Sequence, residues 1–284
     1  MTTTRALVLA GGGLAGIAWE LGVLRGVADV DPELAARLAA ADVLVGTSAG
    51  SSVAAQISGG ASLDELYAAQ LAEVAGEIEV DVDLAALFER FTAVSEGVTS
   101  TSEVRRRIAA LALEVETVDE SVRLEAIRRR IRAADWPDRD VRVTAVDAST
   151  GERVVFDRSS RVPFVDAVAA SCAVPGVWPP VTIGDTRYVD GGVHSGSNAD
   201  VAAGAAIVVI LTPTVANAPA MRGRSLDDEI VDLGAAAIYV VHADEASVAA
   251  FGANPLSPTT RKPSALAGRE IGRQMAPQVA TVWG

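Results

Sequence analysis

The chain is poor in the residues that build disulfides, metal sites and catalytic triads, since its 284 residues include one cysteine and two histidines. A single cysteine cannot form an intramolecular disulfide, so nothing in the sequence requires an oxidising compartment. The small, apolar neighbours of Cys172 predict a buried helix residue rather than a reactive thiol. Because His, Cys and acidic residues do not cluster with ligand spacing, the sequence predicts no metal site and no cofactor.

Positive charge and long apolar runs are also scarce. The chain has 24 Lys and Arg against 37 Asp and Glu, a formal net charge of -13. This balance argues against a nucleic-acid partner, which requires clustered cations, and against tight adsorption to an anionic membrane. The arginine-rich runs at 105–107 and 128–132 are interleaved with acidic residues, which favours solvated helix faces over headgroup sites. No segment is long enough to span a bilayer and no signal-peptide pattern is present, so we expect a cytoplasmic protein.

Half of the residues (50%) are hydrophobic, enough for the core of one large α/β domain. No linker or charge block divides the chain, so we expect a single domain over residues 1–284. The alternation of elements predicts a mostly parallel central sheet with helices on both faces. Strands are predicted at 5–10, 42–46, 141–147, 153–157, 181–183, 186–189 and 205–211, and helices at 14–28, 49–58, 63–76, 82–93, 102–113, 120–134, 163–173, 226–241 and 264–280. Residues 147–151 read as a hairpin turn, and Ser62 with Glu65 as a capping box.

One G-x-S-x-G motif, Gly46-Thr47-Ser48-Ala49-Gly50, follows the apolar run at residues 43–45. This composition is typical of a nucleophile elbow, in which a strand runs into a sharp turn with the serine at its apex. The two glycines lack the Cβ atoms that would clash as the next helix packs back on the strand. The motif therefore predicts that Ser48 is an exposed nucleophile above a helix N-terminus.

Two other glycine-rich strand ends accompany the elbow. Residues 6–10 read as a buried strand, followed by Gly11-Gly12-Gly13 and, after Leu14 and Ala15, by Gly16 at the start of an apolar helix. Far downstream, Asp190-Gly191-Gly192 ends another strand-like run. Three glycine-rich strand ends, one with a serine and one with an aspartate, indicate a single site.

In this order the three segments resemble the patatin-like phospholipase family, whose pattern is a glycine-rich oxyanion loop, G-x-S-x-G and a distant D-G-G or D-G-A. Residues 170–180 also resemble the family segment that precedes the aspartate. The resemblance covers a core at about residues 5–200, with a C-terminal helical part at about 213–284. It implies a three-layer patatin-like fold. The family usually has Arg or Lys where this chain has Ala15, so a cation that assists the loop is missing.

The resemblance implies a Ser-Asp dyad, with Ser48 as nucleophile and Asp190 accepting its proton directly. Attack on an ester creates an oxyanion that backbone N–H groups can stabilise. The predicted oxyanion hole is formed by Gly11, Gly12, Gly13 and Ala49, with the N–H groups of Gly12 and Gly13 as the favoured donors. The elbow and motif glycines are Gly46, Gly50, Gly16, Gly191 and Gly192. We therefore expect cleavage of carboxylic esters of lipids through an acyl-serine intermediate, with a lipid or ester substrate and at most transient membrane contact.

Three other interpretations stay open from the sequence. Ser48, Asp190 and His242 follow the chain order of a Ser-Asp-His triad, which would fit a small-ester hydrolase. However, His242 follows a stretch that is predicted as helix, and His194 is predicted as a loop residue beside the site. The glycine-rich loop also fits a dinucleotide-binding G-x-G-x-x-G, although the second strand lacks an acidic residue at its end. Finally, Ala15 would suit a catalytically weak, lipid-binding member of the family.

Overall fold

The computed structural model describes residues 3–73, 76–216 and 225–284. Its strands are β1 (Arg5–Leu9), β2 (Val43–Thr47), β3 (Asp140–Asp147), β4 (Arg153–Phe156), β5 (Val181–Ile183), β6 (Thr186–Asp190), β7 (Ile207–Thr212) and β8 (Ala237–His242). Its α-helices are α1 (Gly13–Val30), α2 (Pro32–Ala39), α3 (Ala49–Ser58), α4 (Leu63–Leu71), α5 (Leu84–Ser95), α6 (Thr101–Glu114), α7 (Glu120–Ile131), α8 (Phe164–Ser171), α9 (Leu226–Leu233), α10 (Glu245–Phe251) and α11 (Arg261–Trp283).

The eight strands of the described residues form one sheet. The central strand β1 pairs parallel with β2 on one side and with β7 on the other. On either flank, β2 pairs parallel with β3, and β7 with β8. The pairings of β3 with β4 and β6, and of β5 with β6, are antiparallel. The mostly parallel sheet and the hairpin between β3 and β4 are thus confirmed.

One edge of β3 brings the ends of two other strands together. Thr47, the last residue of β2, pairs with Thr144 of β3. Asp190, the last residue of β6, pairs with the next residue, Ala145. Because β4 occupies the opposite edge of β3 at residues 143–146, β2 and β6 lie on the same edge and meet end to end. Whatever follows β2 is therefore placed beside the end of β6.

Helices cover both faces of the sheet, as predicted for an α/β protein. Successive residues of a strand point to opposite faces, and in β1 both faces are apolar from Ala6 to Leu9. Leu7 and Leu9 join a core with residues of α1, α3, α8 and α11. Ala6 and Val8 join a second core with α9 and a short 3-10 helix at Ala199–Ala202. A strand that is buried on both faces reads as the continuous apolar run seen in the sequence.

The main error of the sequence analysis concerns the segment predicted as one helix over 226–241. The helix α9 ends at Leu233, because Gly234 adopts a left-handed conformation with φ 59° that closes the helix. The β-branched and aromatic residues that follow form the strand β8. The predicted C-terminal helical part therefore contains a strand of the sheet. The helices α2 and α10 were not predicted. The helix predicted at 63–76 ends at Leu71, and residues 74–75 of that prediction lie outside the described residues.

The C-terminal helix α11 packs directly on α1. A Cβ on Gly26 of α1 would lie 2.0 Å from the carbonyl oxygen of Arg269, so the two backbones touch where glycine allows it. This contact between the chain's two ends supports the single domain over residues 1–284, which stays a prediction. In the described parts of the chain, no helix has both the length and the apolar character needed to cross a membrane.

Candidate active site

Ser48 occupies the sharp turn between β2 and α3, but only 8% of its surface is exposed, so the prediction of an exposed serine is wrong. Its backbone has φ 51° and ψ -113°, a region that residues with a Cβ rarely adopt. Such strain persists only where the surroundings enforce it. A Cβ on Gly46 would lie 2.5 Å from the Cα of Ser51, and a Cβ on Gly50 would lie 2.0 Å from the carbonyl oxygen of Leu9. The turn therefore requires glycine on both sides of the serine, for the reason that the motif suggests.

The side chain of Ser48 contacts the aspartate at the end of β6. Its Oγ donates a hydrogen bond of 2.7 Å to Oδ2 of Asp190. The second carboxylate oxygen, Oδ1, accepts the backbone N–H of Gly192 at 2.7 Å. A Cβ on Gly191 would lie 2.4 Å from Oγ1 of Thr144, so this turn also needs glycine to pack against β3. The structure thus joins the two residues predicted as a dyad and fixes both oxygens of the carboxylate.

Burial raises the pKa of the Asp190 carboxyl to about 7. The hydrogen bonds from Ser48 and Gly192 and the positive charge of Arg123 act in the opposite direction, because they stabilise the ionised form. A carboxylate with a pKa near neutrality is a much better proton acceptor than an exposed aspartate. Burial therefore brings the titration of this carboxyl close to neutral pH.

The glycine-rich loop offers backbone donors beside the serine, but not all of those predicted. Gly11 donates its N–H to the carbonyl oxygen of Gly196 at 2.8 Å, so it is not available to an oxyanion. Within the described residues, the N–H groups of Gly12, Gly13 and Ala49 have no backbone or side-chain acceptor. Gly13 and Ala49 begin α1 and α3, where the helix dipoles favour negative charge. These three N–H groups are the candidate donors.

Two residues that the sequence analysis did not assign to the site hold the backbone of Ser48. The hydroxyl of Ser171, at the end of α8, accepts the N–H of Ser48 at 2.9 Å. Cys172 donates its thiol to the carbonyl oxygen of Ser48 at 3.1 Å, and burial raises the pKa of this thiol. Cys172 is therefore buried as predicted, but it also supports the turn. Only the resemblance of residues 170–180 pointed to this segment.

Asn198 connects the turn after Asp190 to the strand before Ser48. Its side-chain Nδ2 donates to the carbonyl oxygen of Ser195 at 2.7 Å, and it lies 3.1 Å from Oγ1 of Thr47 and 3.3 Å from the carbonyl oxygen of Gly191. Its Oδ1 lies 2.9 Å from Nδ1 of His194. No sequence pattern marked Asn198, because its role depends on contacts between distant segments.

Neither histidine touches the Ser-Asp pair. The ring of His194 is bound to Asn198, and burial together with the charge of Arg153 lowers its pKa to about 4. His242 ends the edge strand β8, three strands from β2 and so about 14 Å across the sheet. Its Nδ1 lies 3.3 Å from the carbonyl oxygen of Thr214. A triad through His242 is incompatible with this arrangement.

Ala15, where the related family usually carries a cation, is completely buried in the main core. Its N–H donates to the carbonyl oxygen of Pro255 at 2.9 Å. An arginine at this position would have to bury its charge among apolar neighbours or displace them. The side chain of residue 15 therefore packs in the core, and the effect of the missing cation on the loop stays a prediction.

A small cavity of about 20 Å³ opens beside Ser48, enough for one water molecule. Its walls are Gly13, Leu14, Ser48, Ala49, Ile78, Arg123, Arg130, Cys172, Val174, Trp178 and Leu256. Ile78, Trp178 and Leu256 also pack in an apolar cluster with Leu87 and Phe91 of α5. The cavity beside Ser48 therefore borders an apolar cluster.

Arg130 in this wall corrects the prediction that the run at 128–132 is a solvated helix face. Arg130 is buried and forms a bidentate ion pair with Glu77, with Nη2–Oε2 2.6 Å and Nε–Oε1 3.1 Å. Arg123 is also buried. In residues 3–73, 76–216 and 225–284, no three His, Cys, Asp or Glu side chains are grouped so that they could hold a metal ion.

Solved structures of known proteins align with this chain. VipD from Legionella pneumophila aligns with a TM-score of 0.50 at 13% identity, covering 98% of this chain and 67% of VipD. The type III effector protein ExoU aligns with a TM-score of 0.44 at 16% identity, covering 98% of this chain and 53% of ExoU. No curated protein sequence matches the chain.

The sequence model of the patatin-like phospholipases matches residues 7–203. This segment covers more than half of the chain and contains the glycine-rich loop, the elbow and the aspartate turn, and VipD shares its overall fold. The chain therefore belongs to the patatin-like phospholipase family.

Proposed function

We propose that this protein is a serine acyl hydrolase that cleaves carboxylic esters of lipids with Ser48 and Asp190. Family membership supports lipid ester hydrolysis in general. The observation that carries the proposal is the 2.7 Å hydrogen bond from Ser48 Oγ to a carboxylate whose pKa is raised to about 7. It joins a strained, elbow-held hydroxyl to a base that is half ionised at neutral pH.

In the first half of the reaction, Ser48 Oγ attacks the carbonyl carbon while its proton moves to Oδ2 of Asp190. The carbonyl oxygen becomes an oxyanion, and the ester C–O bond then breaks as the leaving alcohol takes the proton from Asp190. In the second half, a water molecule attacks the acyl-serine and gives its proton to the same carboxylate. Ser48 recovers that proton as the fatty acid leaves.

The N–H groups of Gly12, Gly13 and Ala49 are the donors for the oxyanion. Each such donor is worth about 3 to 4 kcal/mol of transition-state stabilisation in known enzymes. The Gly11 N–H is excluded as a donor because the carbonyl oxygen of Gly196 accepts it. The oxyanion hole therefore has fewer donors than the sequence predicts. The Ser48 N–H is excluded too, because Ser171 accepts it.

The dyad is preferred to a triad because the structure leaves no histidine for the role. Asp190 Oδ2 is already bound to Ser48, and the ring of His194 to Asn198. A triad would need a histidine between Ser48 and Asp190, where the direct hydrogen bond leaves no room. The small-ester hydrolase with a His242 triad is therefore not supported.

A lipid substrate and a cytoplasmic location complete the proposal. The net charge of -13 disfavours prolonged contact with anionic membranes, so we expect contact to be transient. A substrate presented as a monomer or a neutral micelle avoids this repulsion.

We expect a fluorophosphonate to modify Ser48 and no other serine, with a mass increase of one adduct per chain. Ser48 combines a strained turn, a base at 2.7 Å and three free N–H groups, whereas Ser51 and Ser52 are fully buried. Intact-mass analysis followed by peptide mapping measures this. Ser48→Ala is the matched control and should remain unmodified, as should the heat-denatured protein.

An adduct on another serine would show that the nucleophile is misassigned. A folded protein without any adduct, and without turnover of p-nitrophenyl esters of graded chain length, would instead favour a lipid-binding protein.

We also expect kcat/KM for a neutral ester to fall about 10-fold per pH unit below pH 7 and to level off above it. The reason is that Asp190 must be ionised to accept the proton, and its pKa is raised by burial to about 7. His242→Asn should leave the profile unchanged. A rate that stays constant between pH 5 and pH 8 would contradict the proposed base.

A further inference from the structure

Arg123 on α7 is a buried cation whose Nε and Nη1 have no hydrogen-bond acceptor among the described residues. Only 4% of its surface is exposed. Burial lowers its pKa to about 9, which still leaves the guanidinium charged at neutral pH. An unpaired buried cation is unfavourable. The site of Arg123 therefore favours an anion over a neutral ligand.

Arg130, in the same wall, is a buried arginine whose charge is balanced by an acidic side chain. Arg130 meets Glu77 through two hydrogen bonds, and both side chains are buried. Glu77 is thus already committed to Arg130. Asp190 is committed to Ser48 and Gly192, although its charge is close enough to raise the pKa of Arg123.

Trp178 fixes the orientation of the Arg123 guanidinium. The Cζ atom lies 3.7 Å from the centre of the indole ring, a stacked cation–π contact that covers one face of the group. The N–H groups lie along the edge of a guanidinium, so stacking leaves them free to donate. Arg123 and Trp178 line the same cavity as Ser48 and Ala49. An anion held at this edge would lie beside the nucleophile.

We propose that Arg123 forms an anion subsite that selects acyl esters bearing a phosphate group over neutral esters. This inference rests on the proposed hydrolysis at Ser48. A guanidinium edge donates two parallel hydrogen bonds, which match two oxygens of a phosphate. In a glycerophospholipid the phosphate is joined to the acyl ester by a few bonds, so one molecule can occupy both Arg123 and Ser48. A diacylglycerol lacks this anion.

The subsite is distinct from the oxyanion hole. The oxyanion exists only in the reaction and has its donors at Gly12, Gly13 and Ala49. A phosphate is charged before the reaction begins, so Arg123 acts on substrate binding as well as on the rate. An oxyanion forms on every ester, so losing an oxyanion donor should slow the cleavage of all esters. A phosphate is present only on some esters, so losing the anion subsite should slow the cleavage of those esters alone.

The test compares Arg123→Met with the wild type on two substrates that carry the same acyl esters. We expect kcat/KM for dihexanoylphosphatidylcholine to fall about 10- to 100-fold, the size of a lost charged hydrogen-bonding pair. For dihexanoylglycerol we expect a change below about 3-fold. Methionine keeps an unbranched stem against Trp178 without the charge. Arg123→Lys should recover part of the preference, because lysine keeps the positive charge but cannot donate two parallel hydrogen bonds.

Arg128→Met is the matched control, since Arg128 lies on the same helix and is exposed in an ion pair with Glu125. It should leave both substrates unaffected. Equal losses on both substrates in Arg123→Met would overturn the subsite and assign Arg123 to the oxyanion or to folding. If the wild type is modified at Ser48 and cleaves both substrates equally well, the subsite fails while the proposed function stands.

Phosphate binding tests the anion subsite independently of catalysis. Inorganic phosphate should raise the Tm of Ser48→Ala and should have no effect on Ser48→Ala combined with Arg123→Met. No shift in either protein would overturn a site for phosphate. A shift in the first protein without selectivity between the two esters would show a site for free phosphate and overturn headgroup selection.

Discussion

Replacing Asp190 with Asn is expected to lower kcat by about 10³- to 10⁴-fold on every ester. The substitution keeps the shape of the side chain and removes the proton acceptor of Ser48, and general-base catalysis typically contributes up to about 10⁴-fold. The direct 2.7 Å contact leaves no second group to take the proton. Steady-state kinetics with a soluble p-nitrophenyl ester at pH 8 measure the loss.

His242→Asn and His194→Asn are the controls for this experiment. His242 lies at the far edge of the sheet and His194 is bound to Asn198, so we expect kcat to change less than about 3-fold for His242→Asn. His194→Asn, closer to the site, should stay far more active than Asp190→Asn. If His242→Asn were as damaging as Asp190→Asn, the dyad would have to be abandoned.

The stability of Asp190→Asn relative to the wild type is expected to depend on pH. Burial raises the pKa of Asp190 from 3.8 to about 7, so the folded state favours the protonated form. The wild type therefore has this stabilisation below pH 3.8 and loses it as the pH rises through 7, by on the order of 4 kcal/mol. Asparagine does not titrate. We expect the Tm of Asp190→Asn relative to that of the wild type to increase between pH 5 and pH 8, which thermal melts at several pH values would show.

The parts of the site that could be predicted from sequence are those fixed by local geometry. A turn with φ 51° at Ser48, flanked by close backbone contacts, needs small residues at fixed spacing, so it leaves a short motif. The proximity of Ser48 and Asp190 followed from their resemblance to a family pattern. Its physical cause, two strands meeting on one edge of β3, cannot be read from either motif alone.

The parts that could not be predicted depend on which groups are already bound. Gly11 looks like any other glycine of the loop, yet its N–H is used by Gly196, more than 180 residues away in the sequence. Arg123 lies in a charged helix of ordinary amphipathic appearance, yet it is buried and stacks on Trp178, more than 50 residues away in the sequence. Asn198 likewise gains its role from contacts with the hydroxyls of Thr47 and Thr144, which are distant in the sequence.

The strand β8 was mistaken for a helix because its alanine-rich start continues the pattern of α9. The decisive residue is Gly234, which ends the helix in a left-handed conformation. A glycine in an alanine-rich run is a weak signal in the sequence, since helices tolerate one at a cost of about 1 kcal/mol. Pairing with β7 then determines the outcome, because β8 gains a ladder of hydrogen bonds along six residues.

Gly50→Ala is expected to destabilise the protein and to inactivate what remains folded. The new Cβ would lie 2.0 Å from the carbonyl oxygen and 2.3 Å from the carbonyl carbon of Leu9. These are backbone atoms of the central strand β1, which cannot rotate away as a flexible side chain could. The hydrogen bond from the Gly50 N–H to the carbonyl oxygen of Ala10, now 3.0 Å, also holds α3 at this point.

Two opposing effects decide the size of the change. Alanine improves helix propensity by about 1 kcal/mol, whereas overpacking a tight core costs about 1 to 3 kcal/mol and occasionally more. With a backbone atom at 2.0 Å, we expect the upper end, a net loss of about 2 kcal/mol or more and a Tm lower by at least about 4 °C. The shifted N-terminus of α3 would move Ser48 and the Ala49 N–H, and a displacement of about 1 Å can cost about 100-fold in rate.

Gly196→Ala is the matched control, because a Cβ at this position meets no atom within 4 Å although its carbonyl oxygen binds the glycine-rich loop. We expect this variant to keep the Tm and kcat of the wild type to within about 1 °C and 3-fold, as is usual for substitutions without a packing consequence. Thermal melts and ester kinetics on both variants test the argument. A Gly50→Ala protein with unchanged Tm and kcat would show that α3 can move from β1 without disturbing Ser48, and the elbow would then not need its second glycine.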